Sequence, residues 1–443
     1  MIKRISMTWL SLLMVWVLFQ VEFSAQAEEA ASAAESLPES AEAALADGID
    51  LPTLIRLAVE RNPKLKIARA KWQATIEKYP QVTALPDPML MYSYFARSVE
   101  TRVGPQRHRL GFSQALPYPG TLDAAGRVTV KEIEIQRVKY EKVVRDVIVD
   151  LKLSYHELTY LQRARQVTHQ NQQLLSQILN LATTRYASSE ATLNDVLKAQ
   201  SQLAQLSYDL ILLRELEEVE KAKINALISV SSQTPLGPPA PAAYTAHDIP
   251  ISDLQTKVLA GQQELQIADL MIQKADEAVA LAKLKTKPRF KLDLMTVETG
   301  EGLMPDAIDS GKNPISIGVG ISIPWSSTKN RSQIQEAELN RAAAIENKRA
   351  MENSTLANLR KLYFRLENAR RLVDLYEDSL IPQAEDAIEV AETWHQEGTK
   401  SVAGFLETQS VWLNFNLARL RAITDYQQSL ARLERLIGGS ISP

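Results

Sequence analysis

The chain has no cysteine in its 443 residues. That excludes disulfides, thiol catalysis, Cys-ligated zinc, iron–sulfur clusters and a lipid anchor on an N-terminal cysteine. Glycine is also scarce: the 16 present are about half the usual frequency, which argues against turn-rich all-β folds. The 5 histidines, His108, His156, His169, His247 and His395, are scattered without metal-ligand spacing. No sign of charge dominates, since Lys+Arg is 50, Asp+Glu is 53 and the net charge is −3. A chain so balanced gives no reason to expect nucleic-acid binding, which needs a basic face. There is no phosphate-cradling loop ending in Gly-Lys-Ser/Thr, no nucleophile elbow and no His-Glu-x-x-His. Glu217 and Glu218 sit in charged helical runs and read as a solvated face. No catalytic, cofactor or metal site is therefore expected, and the chain does not read as an enzyme. Beyond its first residues it also lacks any apolar run of the ~20 residues a spanning helix needs.

What is present begins with an address. Lys3 and Arg4 precede an apolar run over residues 7–21, and Ala25-Gln26-Ala27 is a small-x-small cleavage signal. Residues 1–27 read as a secretory signal peptide. Residues 28–50, rich in Ala, Glu and Ser, read as a flexible linker. With 45% hydrophobic and 23% charged residues, the rest has the composition of a folded chain. Its length suggests two or three ordinary globular domains.

Internal repeats replace that picture. Leu54, Leu65, Ile67, Ala68 and Pro88 recur 200 residues on as Leu254, Leu265, Ile267, Ala268 and Pro288. Gly111, Leu116, Pro117 and Tyr118 recur 207 residues on as Gly318, Ile323, Pro324 and Trp325. Asp195-Val196-Leu197 and Gln200 line up with Gly404-Phe405-Leu406 and Gln409 at an offset of 209. A second copy with a few extra loop residues explains the growing offset. The division is repeat 1 at 51–232, a Pro-rich linker at 233–250, repeat 2 at 251–438 and a tail at 439–443.

Each repeat reads as a helix (51–79 and 251–284), two short strands and two long helices. Phe290, Leu292 and Leu294 alternate with Arg289, Lys291 and Asp293. Ile315, Ile317, Val319, Ile321 and Ile323 alternate with Ser316, Gly318, Gly320 and Ser322. Period-two alternation marks strands with one apolar face, and runs of 9–11 residues suit tilted membrane strands. Strands are predicted near 89–95, 107–116, 289–297 and 315–323. Tyr118 and Trp325, each directly after a strand-ending proline, stand where interfacial aromatics belong. Long helices are predicted near 123–186, 193–229, 331–395 and 402–437. A helix of ~60 residues would be about 90 Å long, far beyond an ordinary globular helix. The leucine stripes Leu203, Leu206, Leu210 and Leu213, and Leu413, Leu417 and Leu420, suit coiled-coil packing. Four strands cannot close a barrel, and open edges cannot face lipid. Strands in a membrane would therefore require several copies to pool them.

In these features the chain resembles the TolC-like outer membrane efflux protein family. The residues that carry the resemblance are Leu54, Leu65, Ile67 and Ala68 after Asn62-Pro63, and the junction Gln114-Ala115-Leu116-Pro117-Tyr118-Pro119-Gly120. To these are added Leu380-Ile381-Pro382-Gln383-Ala384 and the tip Gly398-Thr399-Lys400-Ser401-Val402 running into Leu406-Glu407-Thr408-Gln409. The resemblance implies a mainly α fold with a transmembrane β-barrel portion. Three copies would form a 12-stranded barrel continued by an α-helical coiled-coil tunnel in the periplasm. It implies the outer membrane duct of a tripartite pump for metal ions or drugs, with a periplasmic adaptor and an inner membrane transporter as partners. Asp87-Pro88 and the compact length are similar to the metal-ion branch. A type I protein secretion duct and a soluble periplasmic coiled-coil adaptor are the alternatives.

The resemblance also assigns a gate at the helix tips, with Lys400 opposite Asn194 and Asp195. An exposed Lys–Asp link is worth roughly 0–1 kcal/mol, weak enough for a partner to release. The family's second tip usually carries two acidic residues about a turn apart. Here Glu407 keeps one and Gly404 replaces the other. His395 stands in place of the usual Tyr, and Ser189 where a glycine often stands.

Overall fold

The computed structural model describes residues 45–240, 244–304, 308–396 and 402–441, with side chains omitted at 391–396, 402 and 403. The chain divides into two compact units. One holds the residues up to 66, 143–260 and those from 355; the other holds 67–142 and 261–354.

Repeat 1 opens with helix α1 (Leu51–Arg61). Asp50 caps it by accepting a 2.9 Å hydrogen bond from the Thr53 amide, and Pro52 stands in the first turn, where no N–H is needed. The chain bends at Asn62 before helix α2 (Pro63–Ile76), because a residue ahead of proline is pushed out of the helical region. Asn62 stabilises the bend: its Nδ2 donates to the Leu227 carbonyl at 2.7 Å and its Oδ1 accepts from the Lys64 amide at 2.9 Å. The single opening helix expected over 51–79 is thus broken, and a short α3 (Lys78–Thr83) follows. Repeat 2 breaks at the equivalent place, between α6 (Ile251–Gly261) and α7 (Gln263–Lys285). Gln262 has ψ 125° there with no proline after it, so the repeat architecture itself sets the bend.

The remaining elements are β1 (Met89–Tyr94), β2 (Gln106–Leu116), α4 (Thr121–Ala187) and α5 (Leu193–Ile228) in repeat 1. Repeat 2 contributes β3 (Arg289–Thr299), β4 (Ile315–Ser322), α8 (Ser327–Leu375), α9 (Ile381–Gln396) and α10 (Val402–Ile437). The order is the predicted one of helix, β-hairpin and αα-hairpin, twice over. One refinement is a π turn, Tyr376–Leu380, between α8 and α9. Pro382 cannot donate to the ladder and its ring crowds the carbonyl four residues back, and the wider turn relieves both.

Within the first unit the two repeats build equivalent cores. Leu54 and Ala58 of α1 pack with Leu151, Tyr155 and Leu158 of α4 and Ile224 and Ile228 of α5. Leu254 and Val258 of α6 pack with Leu359 and Leu366 of α8 and Leu433 and Ile437 of α10. A third cluster joins the two long hairpins to each other: Leu175, Ile178 and Ala182 of α4, Ala199 and Leu206 of α5, and Phe405, Leu406 and Leu413 of α10. The segment 236–240 is tied to residues 45–49 by backbone bonds from Gly237, Ile49 and Ala240. Leu45 and Ile49 are buried, so ordered backbone begins within the stretch expected to be flexible. Asn225 secures the other side of that segment by donating to the Thr234 carbonyl at 2.9 Å.

The second unit holds a four-stranded antiparallel sheet in the order β1-β2-β3-β4. Its helices bury Ala124, Ile135, Val138, Leu265 and Ala268 and are also joined by ion pairs. Arg127–Glu277 (2.7 Å), Lys142–Glu264 (3.4 Å) and Lys348–Asp269 (2.7 Å) link α7 to α4 and α8, as do Lys274–Glu132 and Arg341–Asp276.

Candidate functional site

The register of the sheet sorts every strand residue onto one of two faces. Leu90 opposes Phe112, which opposes Leu294, which opposes Ile317. Tyr92 and Leu110, and then Leu292 and Val319, continue the same face. Among the described residues nothing covers this apolar band: Ile315, Ile317, Val319 and Ile321 of β4 are 58–76% exposed. A water-soluble sheet buries such a face, whereas a membrane strand turns it to lipid. β2 and β3, at 11 residues each, have the length of a tilted span. The opposite face carries Arg109, Ser113, Lys291, Asp293, Ser316, Gly318 and Gly320. No helix among the described residues is long and apolar enough to cross a membrane.

Among the described residues β1 and β4 each pair on one side only, so both edges of the sheet present backbone unpaired by any of them. At one end of the sheet the loops after β1 and β3 clasp each other. The Gly300 amide donates to the Pro105 carbonyl at 2.8 Å, and Gly311 to Val103 at 2.9 Å. Gly104 permits the clasp, with φ +119° and the Gly300 carbonyl where a side chain would stand. At the other end Tyr118 and Trp325 line one cavity of about 580 Å³ with Pro117 and Pro324. Trp325 is 91% exposed.

The hairpin tips gather some of the anticipated gate residues and separate others. Asn194 is exposed and shares a cleft of about 600 Å³ with Glu407, Lys198 and Ser201. Gly404 is exposed, and a side chain there would meet nothing within 4 Å among the described residues. Asp195, by contrast, is only 4% exposed. Its Oδ2 accepts from Thr192 Oγ1 at 2.7 Å and from the Thr192 amide, while Thr192 Oγ1 accepts from the Asp195 amide. This reciprocal capping box starts α5, and Thr-x-x-Asp is a pattern the sequence displays. His395 lies on α9 with its side chain outside the described residues, and Lys400 lies outside them altogether. Ser189 has φ +63°, the left-handed conformation that favours glycine at such a turn.

Sequence reading missed the polar link beneath the tips. Gln409 Nε2 donates to Asn171 Oδ1 at 2.6 Å with both residues buried. Among the described residues, Gln409 Oε1 and the nearby Thr168 hydroxyl are buried without partners. The bonded residues are 238 positions apart and carry no local signal. Among the described residues no cluster of His, Asp and Glu could hold a metal ion.

A sequence profile described as outer membrane efflux protein matches residues 54–227 and 254–439. No curated protein sequence matches the chain. Solved structures do. The outer membrane protein VceC of Vibrio cholerae superposes with a TM-score of 0.72 at 18% identity, covering 88% of this chain and 97% of that one. CusC, whose structures concern folding and transmembrane channel formation, gives 0.75 at 13% identity, covering 88% and 92%. The outer membrane channel CmeC of Campylobacter jejuni gives 0.73 at 16% identity, covering 88% and 85%.

Proposed function

Because the chain belongs to the outer membrane efflux protein family, we propose that it is the outer membrane duct of a tripartite pump. Membership makes it a channel component and not an enzyme. The observation that carries the finer reading is the sheet with one continuous apolar face and two open edges. Lipid satisfies the face, but only another chain satisfies the edges. Three copies joined β4 to β1 give twelve strands, enough for a barrel with an open interior. A second surface asks for the same neighbour: α5 exposes Tyr208, Ile211, Leu212, Leu216 and Val219 at helical spacing, a stripe suited to a partner helix.

In this reading the αα-hairpins form a periplasmic tunnel, and Tyr118 and Trp325 mark the membrane interface. The tips, with Asn194, Glu407, Gly404, His395 and Lys400, are where a periplasmic adaptor engages and the gate opens. The inner membrane transporter supplies the energy, and metal ions or drugs are the cargo. The absence of native cysteine makes the test direct. A cysteine pair at Met91 on β1 and Gly318 on β4 should give an oxidised ladder that stops at three chains, in the outer membrane fraction. Recovery as an uncrosslinked soluble periplasmic protein would refute the duct.

A further inference from the structure

We infer that the barrel section of this duct prefers anions, so that its cargo is anionic. The inference rests on the duct reading above and adds the charge class of what passes. The polar face of the sheet, which a barrel turns inward, carries three cations, Arg109, Arg289 and Lys291, against one carboxylate, Asp293. Asp293 is already spent on Lys291, with Nζ 2.9 Å from Oδ1. Among the described residues neither Arg109 nor Arg289 has an ion-pair partner, and the Arg109 guanidinium lies 5.5 Å over the ring of Phe95. The face is otherwise neutral: Ser113, Ser316, Gly318, Gly320 and Ser322 put nothing negative into the space.

At the strand ends, too, cations outnumber carboxylates. The cavity beside Trp325 is lined by Lys285, Lys287, Arg289 and Lys329 and by no carboxylate. This bias runs against the composition, because the whole chain is negative at −3. Charge confined by low-dielectric walls focuses the field and concentrates counter-ions, and rings of Arg and Lys are how pores favour anions. A bare divalent cation would be repelled by such a ring, so the inference narrows the two cargo classes proposed above, metal ions and drugs, to anionic organic molecules.

The test is the reversal potential of the purified wild-type channel in a planar bilayer under a potassium chloride gradient, near 0.1 M, where the screening length is still about 10 Å. Chloride should permeate more readily than potassium. Arg109→Gln with Arg289→Gln should lower that ratio at least about twofold. Arg109→Lys with Arg289→Lys should keep it, which separates charge from folding. A wild-type channel without anion preference, or a Gln variant with an unchanged ratio, overturns the inference and leaves the duct standing. Failure of the wild-type protein to form any channel overturns the duct itself.

Discussion

The buried bond between Asn171 and Gln409 is the sharpest place to test how the two hairpins are held together. Both side chains are 5% exposed, and Nε2 lies 2.6 Å from Oδ1. Removing one partner strands the other in a dry contact, at a cost of about 1–3 kcal/mol. Gln409→Leu should thus destabilise the packing of α4 against α10 by that amount, and Asn171→Leu by a similar amount. The double variant is different. Gln409 Oε1 is unpartnered already, so replacing both residues removes an existing penalty along with the bond. Its net cost should fall to about 0–1 kcal/mol, since an apolar pair of similar shape is nearly neutral. Leu175, Leu206, Leu406 and Leu413 surround the site and would accept it. Native-state hydrogen exchange of the α4 and α10 amides provides the assay, because it reads local opening directly. The single variants should exchange roughly 5- to 150-fold faster than wild type, and the double should lie near wild type. A double variant as labile as the two singles combined would refute the coupling, and unchanged singles would refute the bond.

Three further outcomes follow from the same structure, and a fourth from the proposed gate. Thr192→Ala removes one half of the capping box and should cost about 1 kcal/mol, read as faster amide exchange over residues 193–196, with Thr192→Ser restoring protection. Gly104→Ala places a side-chain carbon 1.7 Å from the Gly300 carbonyl oxygen; opening the loop clasp should cost upward of about 4 kcal/mol and deplete assembled protein from the outer membrane. Burial and then Lys152 push the His156 imidazole down to about 4. It folds neutral, so its contribution is complete above pH 6.5, is lost as the pH falls toward 4, and amounts to on the order of 3 kcal/mol; His156→Leu should flatten that acid slope in thermal melts. Lys400→Glu should loosen the gate and raise single-channel conductance, and unchanged conductance would remove Lys400 from it.

The sheet was legible because a strand's two faces separate at every second residue. The isoleucines of β4 and the charged residues of β3 declare opposite sides before any pairing is known. β1 is the exception. Met89 and Met91 lie on the polar face, so its alternation was blurred and only its length and position could be read. The bend at Asn62 is announced by Pro63, whereas the matching bend at Gln262 has no such marker. Asp195 shows a different limit. Its Thr-x-x-Asp pattern was readable as a cap, yet alignment with a gate pattern made it look like a free carboxylate. Alignment places a residue in the chain but does not say what its oxygens already bind.

If the tips open as proposed, the contrasting environments of Asn194 and Asp195 constrain how. Asp195 cannot turn toward a partner without releasing Thr192 and unwinding the first turn of α5. The adjustable polar groups are those already in solvent, Asn194 and Glu407 in their shared cleft. On the other hairpin, Phe405 and Leu406 are buried against α4 and α5, five and six residues after Lys400 in the sequence. Swinging the start of α10 away by itself would expose both, at about 1.5–3 kcal/mol for each. That far exceeds the roughly 0–1 kcal/mol of an exposed ionic link. An opening set off by weak tip contacts must therefore leave Phe405 and Leu406 seated. Either the two hairpins of a chain move together, or the motion is confined to residues ahead of Phe405.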